Sequence, residues 1–96
     1  MQPQTGSLAN VTAIVDDFMF VEINKYALAG NTFEYKICTT DEKIIRKGQF
    51  SGLNVQLRLS FIEEGKYNFQ LYLNGEQLQE SRFEKRSSYY YNLKQK

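Results

Sequence analysis

Asn74-Gly75 lies between two runs of alternating residues, Tyr67-Asn-Phe-Gln-Leu-Tyr-Leu73 and Glu76-Gln-Leu-Gln-Glu-Ser-Arg-Phe83. A two-residue type I′ turn needs positive φ at both central positions, and Asn-Gly tolerates that best. In the first run Tyr67, Phe69, Leu71 and Leu73 fall on one side, the period of a strand with one buried face. The segment reads as a β-hairpin, and it sets the class of the chain as mostly β.

Counting outward from the turn constrains the hairpin further. Pairing Leu73 with Glu76 sets Leu71 opposite Leu78, but it leaves Phe83 opposite Lys66 on the wrong face. One extra residue among Gln79 to Arg82 brings Phe83 opposite Tyr67. The spacing therefore predicts a β-bulge in the second strand.

The same alternation runs through the rest of the chain. Residues 8–15 read as a first strand with Val11, Ala13 and Val15 on one face, broken by Asp16-Asp17. Residues 18–23 form a second. Glu22 belongs in water, which sends Met19, Val21 and Ile23 inward and Phe18 and Phe20 outward. A loop follows to Asn31. Phe33, Tyr35 and Ile37 alternate with Glu34, Lys36 and Cys38 over 32–39. A fourth strand spans 43–50, with Gly48 marking a bulge. Val55, Leu57, Leu59 and Phe61 alternate with polar residues over 55–61. The turn Glu63-Glu64-Gly65 leads into strands 66–73 and 76–84. The expected core contains Phe33, Tyr35, Ile37, Val55, Leu57, Leu59, Phe69 and Leu71. No segment shows a helical face.

The 96 residues make one domain. Residues 1–7 read as a flexible leader, 8–85 as the folded domain, and 86–96 as a tail without a clear period. The seven short strands and their turn signals predict an all-β, immunoglobulin-like sandwich of about seven antiparallel strands.

The chemistry available to this chain is narrow. It has no histidine and one cysteine, Cys38. No Ser-His-Asp or Cys-His arrangement can be assembled, and a zinc site lacks ligands. Cys38 reads as a strand residue with no histidine to activate it. Asp16-Asp17 and Glu63-Glu64 read as turn charges, the first pair being the place for a weak calcium site if there were one. Asn10-Val11-Thr12 matches a glycosylation sequon by pattern. These observations predict no catalytic residues, no metal, no cofactor and no enzyme.

Binding is the remaining class. Phe18, Phe20 and Tyr72 fall on outer faces, and Tyr89, Tyr90 and Tyr91 lie in a basic tail. Exposed apolar patches mark interaction sites. Tyrosine mixed with positive charge suits single-stranded nucleic acid, but a net charge of +1 gives no broad electrostatic footprint. The expected partner is another protein or an envelope component, with a second copy of the chain as a further candidate. No stretch has the ~18 apolar residues of a membrane span. The polar start Met1-Gln-Pro-Gln-Thr-Gly-Ser7 resembles a linker left after a signal is removed, which points to a periplasmic or extracellular protein; a cytoplasmic one is the alternative.

The stretch Phe33-Glu-Tyr-Lys-Ile, Ile44-Ile-Arg-Lys-Gly-Gln-Phe50, Val55-Gln-Leu-Arg-Leu59, Gly65-Lys-Tyr-Asn-Phe-Gln-Leu-Tyr-Leu-Asn-Gly75 and Arg82-Phe-Glu-Lys85 carries a resemblance. It resembles small immunoglobulin-like envelope domains of Bacteroidetes, among them a secreted family of unknown function and the C-terminal sorting module of type IX secretion. Those share a Gly-x-Tyr entering a strand, a turn with Gly and a closing strand ending near Phe-x-Lys. The resemblance implies a sandwich fold, an envelope location and no catalytic residues. The expected function is a non-catalytic exported binding or assembly module. The alternative is an OB-like barrel binding single-stranded nucleic acid or oligosaccharide.

Overall fold

Each alternating run becomes a strand in the computed structural model, which describes residues 8–86. The strands are β1 (Ala9–Val11), β2 (Ile14–Val15), β3 (Phe18–Ile23), β4 (Thr32–Thr39), β5 (Ile44–Ser51), β6 (Asn54–Arg58), β7 (Gly65–Leu73) and β8 (Glu76–Lys85). A 3-10 turn at Tyr26–Leu28 interrupts the loop after β3. The strands form two sheets, β1-β3-β6 and β2-β8-β7-β4-β5. Their inner faces share one core that includes Met19, Val21, Phe33, Ile37, Leu57, Leu59, Phe69, Leu71 and Phe83. This strand order is that of an immunoglobulin-like sandwich.

A second signature of that fold sits at the start of β7. The Tyr67 hydroxyl donates to the Glu63 carbonyl at 2.6 Å. It ties the corner between β6 and β7 to the first residues of β7, the tyrosine corner of such sandwiches. The Tyr67 ring stacks on Phe83 with centroids 5.6 Å apart.

The expected single strand over 8–15 is one extended segment shared by both sheets. Thr12 N–H donates to the Phe20 carbonyl, and Asn24 N–H to the Leu8 carbonyl. Those even-numbered positions therefore face β3. The Ala13 and Val15 carbonyls accept from Glu84 and Arg86 N–H on the β8 side. The segment so leaves one sheet as β1 and enters the other as β2. β2 pairs with β8 in parallel, the one departure from the antiparallel order expected. Ala13, assigned to the inner face, is exposed at this crossing, and Val15 is fully buried.

The hairpin forms as counted. Asn74 and Gly75 have φ of 53° and 83°, as a type I′ turn requires. Leu73 pairs with Glu76 and Tyr67 with Phe83, so the predicted bulge exists. Its position differs: Tyr72 pairs with Gln77 and Leu71 with Gln79, which makes Leu78 the extra residue. Leu71 does not face Leu78. The shift turns Gln79 toward the inner side, where β1 receives it.

Three other expectations are corrected. The irregularity between β4 and β5 lies where Cys38 pairs with Ile44 and Ile37 with Arg46, so Ile45 is the extra residue rather than Gly48. Gly48 sits opposite Tyr35, and a Cβ there would come within 2.8 Å of the Tyr35 hydroxyl. Phe61 is exposed, because β6 ends at Arg58 and the chain turns after Leu59, where Ile62 N–H donates to the Leu59 carbonyl. Val55 is half-buried and packs at the margin of the core.

Two polar side chains close the sides of the sandwich. From β8, Gln79 reaches β1: its Oε1 accepts from Leu8 and Ala9 N–H at 2.9 Å each, and its Nε2 donates to the Ala9 carbonyl at 2.9 Å. The other Nε2 proton goes to the Ser81 hydroxyl. From β5, Arg46 donates to the Arg58 carbonyl on β6 at 2.6 Å. Its guanidinium lies over the rings of Tyr35 and Phe61, 5.9 and 5.5 Å from their centroids. Each contact joins the backbone of an edge strand in the smaller sheet to the larger sheet. Edge strands left open are templates for unwanted pairing.

Candidate functional site

β3 is the middle strand of the smaller sheet, and its alternation is complete. Met19, Val21 and Ile23 are buried; Phe18, Phe20 and Glu22 are exposed. Phe18 retains 40% of its surface in water and Phe20 54%. Six large apolar side chains are exposed among the described residues: Ile14, Phe18, Phe20, Tyr26, Ile44 and Phe61. Phe18 and Phe20 are the two that stand side by side on one strand face. The inward packing of Met19, Val21 and Ile23 holds them there, because turning β3 over would expose those three.

Register supplies the neighbours. On β6, Arg58 lies opposite Phe18, Gln56 opposite Phe20 and Asn54 opposite Glu22. On β1, Asn10 lies opposite Glu22. Directly opposed residues project to the same face, so the aromatic pair is bordered by amides and two opposite charges. Phe20 is also pinned at its backbone, where its N–H donates to the Thr12 hydroxyl at 2.9 Å. A shallow groove runs between β3 and β6, lined by Phe20, Glu22, Asn54 and Gln56 on its outer side. Among the described residues, the salt bridge present joins Arg86 to Glu84; Glu22 and Arg58 are not ion-paired, and Arg58 Nε donates to the Ser60 hydroxyl.

The structure does not gather all the expected binding residues in one place. Tyr72 belongs to β7 in the other sheet, so its outer face lies across the core from Phe18 and Phe20. It is half-buried, with its hydroxyl 2.9 Å from Gln70 Oε1 and 3.2 Å from Gln77 Oε1. Lys36 Nζ sits 4.7 Å from its ring centroid. Those contacts make Tyr72 a member of a polar lattice on the larger sheet. Tyr89, Tyr90 and Tyr91, like residues 1–7, lie outside the described residues. Sequence reasoning placed Glu22 on the side of Phe18 and Phe20 but missed Arg58 as a member of that face. Arg58 read as solvent-facing, but the pairing of β3 with β6 that sets it beside Phe18 is a long-range contact that alternation alone does not specify.

The ionisable groups behave as structural ones. Cys38 is buried, and burial pushes its thiol above the ordinary value of 9.0, with Glu80 and Glu42 adding to the effect and Lys36 opposing it. A thiol held neutral is a poor nucleophile. Burial likewise raises Tyr67, with the Glu63 carboxylate contributing. The Thr39 hydroxyl donates to Asp41 and holds its carboxyl low. At the acidic corners the backbone does the work: the Asp17 carbonyl accepts from Leu59 N–H, and the Glu63 carbonyl from Tyr67. No group of three or more His, Cys, Asp or Glu side chains that could hold a metal ion occurs among the described residues. No helix there is long and apolar enough to cross a membrane.

Compared with protein-family models, with curated proteins and with solved structures, the chain gives no match in any of the three.

Proposed function

We propose that this chain is a non-catalytic binding or assembly module, exported to the cell envelope, that engages a protein through the outer face of β1-β3-β6. The observation that carries the reading is the exposed pair Phe18 and Phe20 at the centre of that face. Placing two phenylalanines in water costs solubility, and apolar patches bordered by polar residues are what protein partners bury. A sequence without histidine supports a role that needs no acid-base chemistry. The likeness to Bacteroidetes envelope domains supports the location. The barrel alternative loses its scaffold, since the strands form two separate sheets of three and five strands.

A photo-activatable phenylalanine analogue at position 20, introduced into the chain in its native cells, tests the face. Covalent adducts should form from position 20 and not from position 80, on the outer face of the larger sheet. Equal or absent adduct from position 20 overturns the reading. Fractionation tests the location: recovery with the cytosol overturns export.

A further inference from the structure

The partner of this face can be specified from its charges. Glu22 and Phe18 flank Phe20 on β3, each two residues away. Same-face neighbours on a strand are about 6.8 Å apart. Arg58 lies beside Phe18, at the end of the patch opposite to Glu22. Glu22 and Arg58 are therefore separated by about 14 Å along the strand direction, too far to pair within one chain.

A two-fold axis lying in the face, passing by Phe20 and running across the strands, changes this. It sets Phe20 against Phe20 of a second copy. It also carries Glu22 of the second copy over Phe18 of the first, beside Arg58. The reciprocal contact forms at the other end by symmetry. Each copy then supplies one carboxylate and one guanidinium, and both find a partner. Isologous contacts of this kind are self-complementary by construction. The same axis turned along the strands would set Glu22 on Glu22, so the charges choose the antiparallel arrangement.

We infer that the outer face of β1-β3-β6 is a self-association surface, on which a second copy packs antiparallel with Phe20 at the centre and reciprocal Glu22–Arg58 pairs at the ends. This rests on the proposed binding role of that face and names its occupant. The face is small. Six residues of β3 and three strands cover about 300 Å² in projection, against about 800 Å² per partner in a stable interface. Association is therefore weak and rises with concentration.

Sedimentation equilibrium over a concentration series tests it, with Glu22→Arg and Arg58→Glu as variants. Both positions are exposed, and circular dichroism matched to the parent establishes folding. The parent should gain mass with concentration. Each variant alone opposes like charges at both ends and should associate at least roughly tenfold more weakly. An equimolar mixture of the two variants should recover the parent's association, since one carries two arginines and the other two glutamates. A parent that stays monomeric throughout overturns the inference, as does a mixture no stronger than its components. The binding reading fails separately: a monomeric parent that still yields adducts from position 20 to a different protein keeps that reading and discards the second copy.

Discussion

Gln79 offers the sharpest test of how this sandwich is closed. Replacing it by alanine removes three hydrogen bonds to β1: two from Leu8 and Ala9 N–H, and one to the Ala9 carbonyl. Each hydrogen bond of this kind contributes about 0.5–1.5 kcal/mol net. The site is only half-buried, so water recovers some of the loss, and a total cost of about 2 kcal/mol is expected. Urea unfolding measures the total. Amide exchange at Leu8 and Ala9 locates it, since protection there should fall while that of β7 falls only with global stability. Gln79→Glu separates donation from acceptance. Its carboxylate can accept from both N–H groups but cannot donate to the Ala9 carbonyl, so at neutral pH Gln79→Glu should retain protection at Leu8 and Ala9 better than Gln79→Ala does, while still falling short of the parent in stability. A Gln79→Ala cost below ~0.5 kcal/mol with unchanged exchange at Leu8 and Ala9 would refute the reasoning.

Three further outcomes follow from other contacts. Tyr67→Phe keeps the stacking on Phe83 but leaves the Glu63 carbonyl without its donor, and should cost about 1–2 kcal/mol in urea unfolding. Gly48→Ala forces the Tyr35 ring away from a Cβ 2.8 Å from its hydroxyl and should cost about 1–3 kcal/mol by the same measurement, while Gly30→Ala, with nothing within 4 Å, should change stability by less than ~0.5 kcal/mol. Burial raises both Cys38 and Tyr67. Each therefore stabilises the fold fully below its unfolded pKa and loses that contribution as pH rises through the folded one, so thermal stability should fall from about pH 9 upward, and Cys38→Ala should flatten the onset of that fall.

Much of this architecture was legible because alternation and turn chemistry agree. Glu22 sets the phase of β3, and with it Phe18 and Phe20 face water. Asn74-Gly75 sets the hairpin, and Phe83 demands a bulge. The bulge's position was not legible. A shared apolar side for Leu71 and Leu78 is the reasonable local choice, yet the chain puts Gln79 opposite Leu71. Its reason lies at the other end of the sequence, at the β1 backbone that Gln79 bonds. The crossing at Thr12-Ala13 was hidden in the same way, because an extended segment keeps its two-residue period while its hydrogen bonds change sheets. Phe61 continued the period of β6 past the strand's end, where Arg46 rather than the core receives it. The site divided likewise: outward faces could be read, but not which sheet each belongs to, so alternation alone grouped Tyr72 with Phe18 and Phe20.

The parallel alignment of β2 with β8 governs how the domain carries tension. Force drawn outward at Leu8 and Arg86 pulls these two strands in opposite directions along their common axis. The bonds from Glu84 and Arg86 to the Ala13 and Val15 carbonyls lie across that axis, so they are loaded together, in shear, and do not break in succession. The hairpin β7–β8, joined at its turn, would instead peel open from its free end. A chain tethered on both sides thus meets its mechanical resistance at the two residues of β2, and removing that short strand's register would let the sandwich extend under a much smaller load.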